Sequence, residues 1–221
     1  MIEYGVVAYA SNASELLPPL AILLKQSRQP ARLKVGLFCL FLFLFDMLLI
    51  AFRHVGSQGN LWLTYFFHPV EVLLGAWLLS DWQVKPGARR VLGYLVSVYL
   101  VAVIGLTVLV ELPDTFSLIT GSLSGVFMLC LALFTLVTNG LAEPGELRRR
   151  DWFWLCLGLA VYFSAETGVE PLQRFLIGTD VQAFIRILMA SLIVQMTAML
   201  LITRGMMCPV RPFGQDSVPA R

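Results

Sequence analysis

The chain has 221 residues, 58% of them hydrophobic and only 14% charged, with a net charge of +2 and a mean hydropathy of +0.79. A soluble domain carries about 25% charged residues, so an ordinary globular fold in water is excluded. Seven apolar stretches approach or reach the ~20 residues needed to cross hydrocarbon. They fall at about 5–25, 34–53, 61–80, 91–111, 115–138, 152–170 and 183–203.

The connections are too short for a separate soluble domain. The predicted architecture is all-α and integral to a membrane, a seven-transmembrane-helix bundle in one domain over residues 1–204. A polar, proline-bearing tail, 205–221, is expected to be disordered. The start, MIEYGVV, is acidic and is followed by no small-residue cleavage pattern, so no removable signal peptide is expected.

Span 1 is a poor membrane helix by hydropathy. Asn12, Ser14 and Glu15 fall in its middle, and Pro18 and Pro19 follow within a turn. Each proline removes a backbone donor, which predicts a kink that turns Asn12 and Glu15 toward a cavity. Span 2 is strongly apolar except for Asp46.

Span 3 reads LWLTYFFHPVEVLLGAWLLS. Trp62, Tyr65, His68, Glu71 and Gly75 recur at steps of three and four and share one helix face. Leu63, Phe66, Phe67, Val70, Leu73, Leu74 and Trp77 form the other, suited to lipid or an apolar neighbour. An ionised Asp at the bilayer centre costs roughly 2.5–3.5 kcal/mol on insertion scales, so the polar stripe must face other helices or water. Pro69 also deprives the Tyr65 carbonyl of its usual helical donor, an oxygen that could face a ligand.

Span 4 carries no charge before Glu111, and Leu112-Pro113-Asp114 links it to span 5. Gly121 and Gly125 of span 5 have the GxxxG spacing that lets two helices approach closely. Ser124-Gly125 is similar to part of the GxSG motif of rhomboid proteases, but Ser122 replaces the first glycine and both histidines precede the serine, so a protease is rejected. Span 6 opens with Trp152 and Trp154 as interfacial anchors and ends with Glu166 and Glu170 before Pro171. Span 7 holds Arg186 near its start and Gln195 midway. The four cysteines, Cys39, Cys130, Cys156 and Cys208, form no CxxC pair and read as small core residues.

Lys25, Arg28, Arg32, Lys34, Lys85, Arg89, Arg90, Arg148, Arg149, Arg150, Arg204, Arg211 and Arg221 fall on one side of the membrane, and only Arg53, Arg174 and Arg186 on the other. Positive residues gather in cytoplasmic loops, which predicts the N-terminus outside and the C-terminus inside, in a plasma (inner) membrane. The basic face could also meet anionic lipid or an acidic partner.

Counted from the outer ends, Asn12, Asp46, His68 and Glu166 then lie roughly 6–11 Å deep at 1.5 Å per residue. Glu15, Glu71 and Gln195 lie nearer the midplane. This alignment predicts a shared outer-half pocket of His68, Glu71, Glu15, Asp46, Glu166, Asn12, Tyr65 and Gln195.

Three chemistries could use such a layer. Buried carboxylates around one histidine suit the binding or movement of a small cation, an amine or protons. A metal is the second, with His68 and Glu71 at i, i+3 as ligands and Glu15, Asp46 or Glu166 completing the shell. One imidazole cannot build the three-histidine site of the membrane ceramidase and adiponectin-receptor type, and di-iron bundles use the reverse order, Glu-x-x-His, on two helices. The third is haem, but His54 lies in a loop and no second histidine helix exists for a bis-histidine haem. The structural alternative is that these groups pair with one another, or with Arg53 and Arg186, to lock the bundle.

Seven spans with an outside N-terminus resemble microbial rhodopsins. The resemblance fails at the retinal Schiff base, because span 7 has no lysine, and Lys25, Lys34 and Lys85 all lie in loops. Seven-helix sensor modules of histidine kinases are similar in size, but the tail after Arg204 holds no output domain. The leading expectation is a membrane protein that binds or translocates a small cation, an amine or protons, with no catalytic set legible. The alternative is a non-catalytic subunit or receptor-like sensor of a larger membrane complex. The expected partners are the bilayer and, in the alternative reading, another membrane protein subunit, with no nucleic acid.

Overall fold

A computed structural model describes residues 2–27, 29–54, 62–110, 118–142, 146–177 and 181–209. Its helices are α1 (Ile2–Ser14), α2 (Leu17–Leu24), α3 (Pro30–His54), α4 (Trp62–Asp81), α5 (Pro86–Leu109), α6 (Leu118–Ala142), α7 (Asp151–Ile177) and α8 (Val181–Met207), with a 3-10 turn at Leu147–Arg149. There is no strand among the described residues. Seven segments are long and apolar enough to cross a membrane, α1 and α2 together making the first. His54, expected in a loop, instead ends α3; residues 55–60, the Leu112-Pro113-Asp114 link and residues 210–221 lie outside the described residues.

Helix boundaries differ from the apolar runs where local chemistry extends them. α3 and α5 start four or five residues early, each on a proline, Pro30 and Pro86. The ring of proline presets φ for the first helical position, where its missing donor costs nothing. α7 continues past Pro171 to Ile177, and α8 runs beyond the expected boundary at Arg204 to Met207.

The kink in span 1 is a full break. α1 ends at Ser14 and α2 restarts at Leu17, with Pro18 and Pro19 in its first turn. The Glu15 and Leu16 amides donate to the Asn12 and Ala13 carbonyls at 3.2 Å, three-residue closures that tighten the end of α1.

The helices close a ring in the order α3, α4, α6, α7, α8 and the α1–α2 pair, which returns to α3. α5 packs on α4 and α6 outside this ring. Its outer side, including Tyr94, Val98, Val101, Ile104 and Val108, is exposed. Phe38, Leu42, Val72, Leu79, Met128, Leu155, Phe163, Ala198 and Ile202 fill the core.

Close approaches are made at glycines. A Cβ on Gly158 of α7 would stand 2.9 Å from the Ala198 carbonyl of α8, and one on Gly125 of α6 would stand 2.6 Å from Thr167 Oγ1 of α7. Gly125 therefore serves helix packing, as its GxxxG spacing implies. Ser124 beside it donates to the Thr120 carbonyl and shares a hydrogen bond with the Tyr99 hydroxyl of α5, which makes it a structural serine.

The four cysteines are free; Cys39 and Cys156 are buried in the core, whereas Cys130 is exposed on the outer surface of α6. Cys130 thus departs from the expected core role.

One end of the bundle collects the described ion pairs of lysine and arginine. Arg32, fully buried, contacts Asp151 at 3.0 Å and donates to the Met206 and Cys208 carbonyls. Lys25 donates to the Met207 and Cys208 carbonyls. Its partial burial, then the neighbouring Arg32 guanidinium, push the Lys25 ammonium below its ordinary pKa. These two cations satisfy the last carbonyls of α8 and oppose its dipole, which explains why the helix persists to Met207. Lys34 pairs with Asp81 at 2.6 Å and lies over the Trp77 ring, while Arg204 lies over Trp154. Asn139 of α6 ties down the turn after α4, donating to the Trp82 carbonyl and accepting from the Val84 amide.

Candidate functional site

α4 divides as its pattern implies. His68, Glu71 and Gly75 are buried, whereas Phe66, Val70, Leu73 and Trp77 are exposed. Phe67 departs from the outer side, stacking on Phe41 and Phe45 of α3 with ring centroids 5.5 and 3.9 Å away. That stack fixes the rotation of α4 about its axis and turns His68 and Glu71 inward. α4 runs through Pro69 without interruption.

His68 Nδ1 stands 3.7 Å from Glu71 Oε2. Glu166 of α7 joins them, so that one ligand-type atom from each of His68, Glu71 and Glu166 lies within 4.8 Å of the others. Glu71 is wholly buried and His68 is 6% exposed, while Glu166 is half-buried.

Glu15 reaches the same region from the α1–α2 break. It is 4% exposed, its Oε2 has no hydrogen-bond partner among the described residues, and the carboxylates of Asp46, Glu71 and Glu166 act on it electrostatically. A continuous helix would commit this segment to one straight axis; the break instead seats Glu15 between α1 and α2. Asn12 of α1 faces Asp46 of α3: with the side-chain amide turned so that its nitrogen meets the acceptors, it donates to Asp46 Oδ2 at 3.2 Å and to the Ala8 carbonyl at 3.1 Å.

The group therefore unites Asn12, Glu15, Asp46, His68, Glu71 and Glu166 from four spans of the ring. Measured from Lys25, Arg32, Asp81 and Asp151 at the basic end, its acids lie about 15–22 Å along their helices at 1.5 Å per residue. They share one layer.

Other expected members fare differently. Gln195 is half-buried on α8 and makes no hydrogen bond among the described residues. Tyr65 is half-buried on α4, one turn before His68. The Glu170 and Arg53 side chains lie outside the described residues. Arg186 is exposed at the start of α8 and forms no ion pair among the described residues, so it does not lock the acids. Two surface cavities, of about 300 and 450 Å³, lie at the basic end, one beside Arg148, Arg149 and Arg204 and one beside Gln26 and Ser27, away from the acidic layer.

One member was not legible in the sequence. Tyr162, 7% exposed on α7, interacts electrostatically with Glu15, Glu166, Glu71 and Asp46. It stands one helical turn before Glu166, so its i, i+4 spacing was the available signal. A phenol in an apolar helix otherwise reads as core or as an interfacial anchor.

Chemically, the site offers four carboxylates, one imidazole and one phenol in a buried layer. Excess negative charge in such surroundings calls for a compensating cation or protons. The chain matches no known family model, no curated protein and no solved structure.

Proposed function

We propose that this is a multi-pass membrane protein with its N-terminus outside and its basic end in the cytoplasm, in which the buried acidic layer binds or translocates a small cation, an amine or protons. The observation that carries the reading is the convergence of Glu15, Asp46, Glu71 and Glu166 on one buried layer with His68 among them. Four separate spans supply these groups, and the bundle bears the cost of burying them. The gathering of Arg32, Lys34, Lys25 and Arg204 at one end supports the orientation. Glu71, fully buried, is the central acid, with the His68 imidazole 3.7 Å from it.

The test is cation and proton binding by the purified chain across a pH series, with Glu71→Gln alongside. The variant is expected to insert and remain monodisperse while losing pH-dependent binding. Unchanged pH dependence would remove Glu71 from the site. Native mass spectrometry of gently extracted protein separates the competing class: a stoichiometric second polypeptide with no bound cation would identify a subunit or sensor module, with the acidic layer as its locking device.

A further inference from the structure

We infer that the cation is a first-row divalent transition metal, held by His68, Glu71 and Glu166, with Glu15 as a neighbouring acid outside the ligand set. The inference rests on the cation-site reading above and narrows it to one chemical class.

The donor set carries the argument. One neutral imidazole and two carboxylates supply a nitrogen, two oxygens and two negative charges, which balance a divalent ion. Hard cations such as K⁺, Ca²⁺ and Mg²⁺ take oxygen ligands and gain little from imidazole, whereas Mn²⁺, Fe²⁺, Co²⁺ and Zn²⁺ accept mixed nitrogen and oxygen sets. An organic amine needs hydrogen-bond acceptors around a volume large enough for its carbon skeleton. Here the donor atoms of His68, Glu71 and Glu166 lie within 4.8 Å of one another, room for a bare ion.

The spacing fits. Metal–ligand distances of about 2.0–2.2 Å put ligands around a tetrahedral ion roughly 3.3–3.6 Å apart. His68 Nδ1 and Glu71 Oε2, at 3.7 Å, already stand near this separation. Glu166 comes from α7, which neighbours α4 through α6 in the ring.

Glu15 is the independent observation. Its carboxylate is 4% exposed and its Oε2 lacks a hydrogen-bond partner among the described residues, a costly arrangement in a helix bundle. The charges that act on it are Asp46, Glu71 and Glu166, all of its own sign. A divalent ion held by the triad supplies the positive charge that this group of acids lacks.

The experiment uses the full chain in detergent, stripped with a chelator and titrated with Co²⁺ under absorption spectroscopy. The expected result is a single Co²⁺ per chain with visible ligand-field bands, displaced by Zn²⁺ but not by excess Mg²⁺ or K⁺. Glu166→Gln and Glu15→Gln should each weaken Co²⁺ by at least about tenfold. The wild-type titration decides even where a variant misfolds. Absence of a stoichiometric Co²⁺ site overturns the inference, as does a site that survives both substitutions unchanged. If Co²⁺ fails while K⁺ or methylammonium binds in a Glu71-dependent manner, the metal assignment falls and the broader cation reading stands. If none of these probes binds, both fall.

Discussion

Arg32, at the start of α3, reaches the Asp151 carboxylate at the start of α7 at 3.0 Å and is fully buried there. The same guanidinium donates to the Met206 and Cys208 carbonyls, so a single side chain joins the beginnings of two helices to the end of a third. A residue that reads in sequence as one of many topology charges is thus a structural clamp.

Removing one partner of a buried ion pair leaves an uncompensated charge. Arg32→Ala should destabilise the detergent-solubilised protein by about 3–5 kcal/mol. Asp151→Asn retains an acceptor and should cost less. Thermal unfolding followed by loss of monodispersity measures both; an Arg32→Ala midpoint equal to wild type would show that the clamp contributes nothing.

Gly158 and Gly105 make a matched pair. A Cβ at Gly158 would meet the Ala198 carbonyl at 2.9 Å and the Ile202 amide nitrogen at 3.1 Å, atoms of the facing backbone that cannot rotate away. A Cβ at Gly105 of α5 meets nothing within 4 Å. Gly158→Ala should therefore destabilise by about 1–3 kcal/mol through overpacking. Gly105→Ala should be neutral or should stabilise by up to about 1 kcal/mol through helix propensity. Equal unfolding temperatures for the two variants would contradict the close α7–α8 contact.

Arg149 is exposed on the 3-10 turn at the basic end. Placed in a cysteine-free background, Arg149→Cys should react with a membrane-impermeant maleimide only after the cytoplasmic face is opened. Labelling of intact cells or spheroplasts from outside would invert the proposed orientation.

The sequence by itself determined the seven segments long and apolar enough to cross a bilayer, a disruption at the prolines of the first and the buried face of α4. Each depends on local quantities: apolar length against bilayer thickness, prolines that cannot donate, and a three-to-four residue period. Helix ends were legible only approximately, since Pro30 and Pro86 extend α3 and α5, and Lys25 and Arg32 extend α8.

Only the tertiary structure decided which polar groups meet. Glu166 joins His68 and Glu71, while Gln195, expected at the depth of Glu71, forms no hydrogen bond with them among the described residues. Tyr162 enters the group although nothing in its apolar surroundings sets it apart. Depth along a helix follows from counting residues, but azimuth around the bundle follows from packing. Here it is set by the Phe67 stack on α3, the glycine contacts of α7 and the exclusion of α5 from the ring. Those contacts join residues far apart in the chain, and no local pattern encodes them.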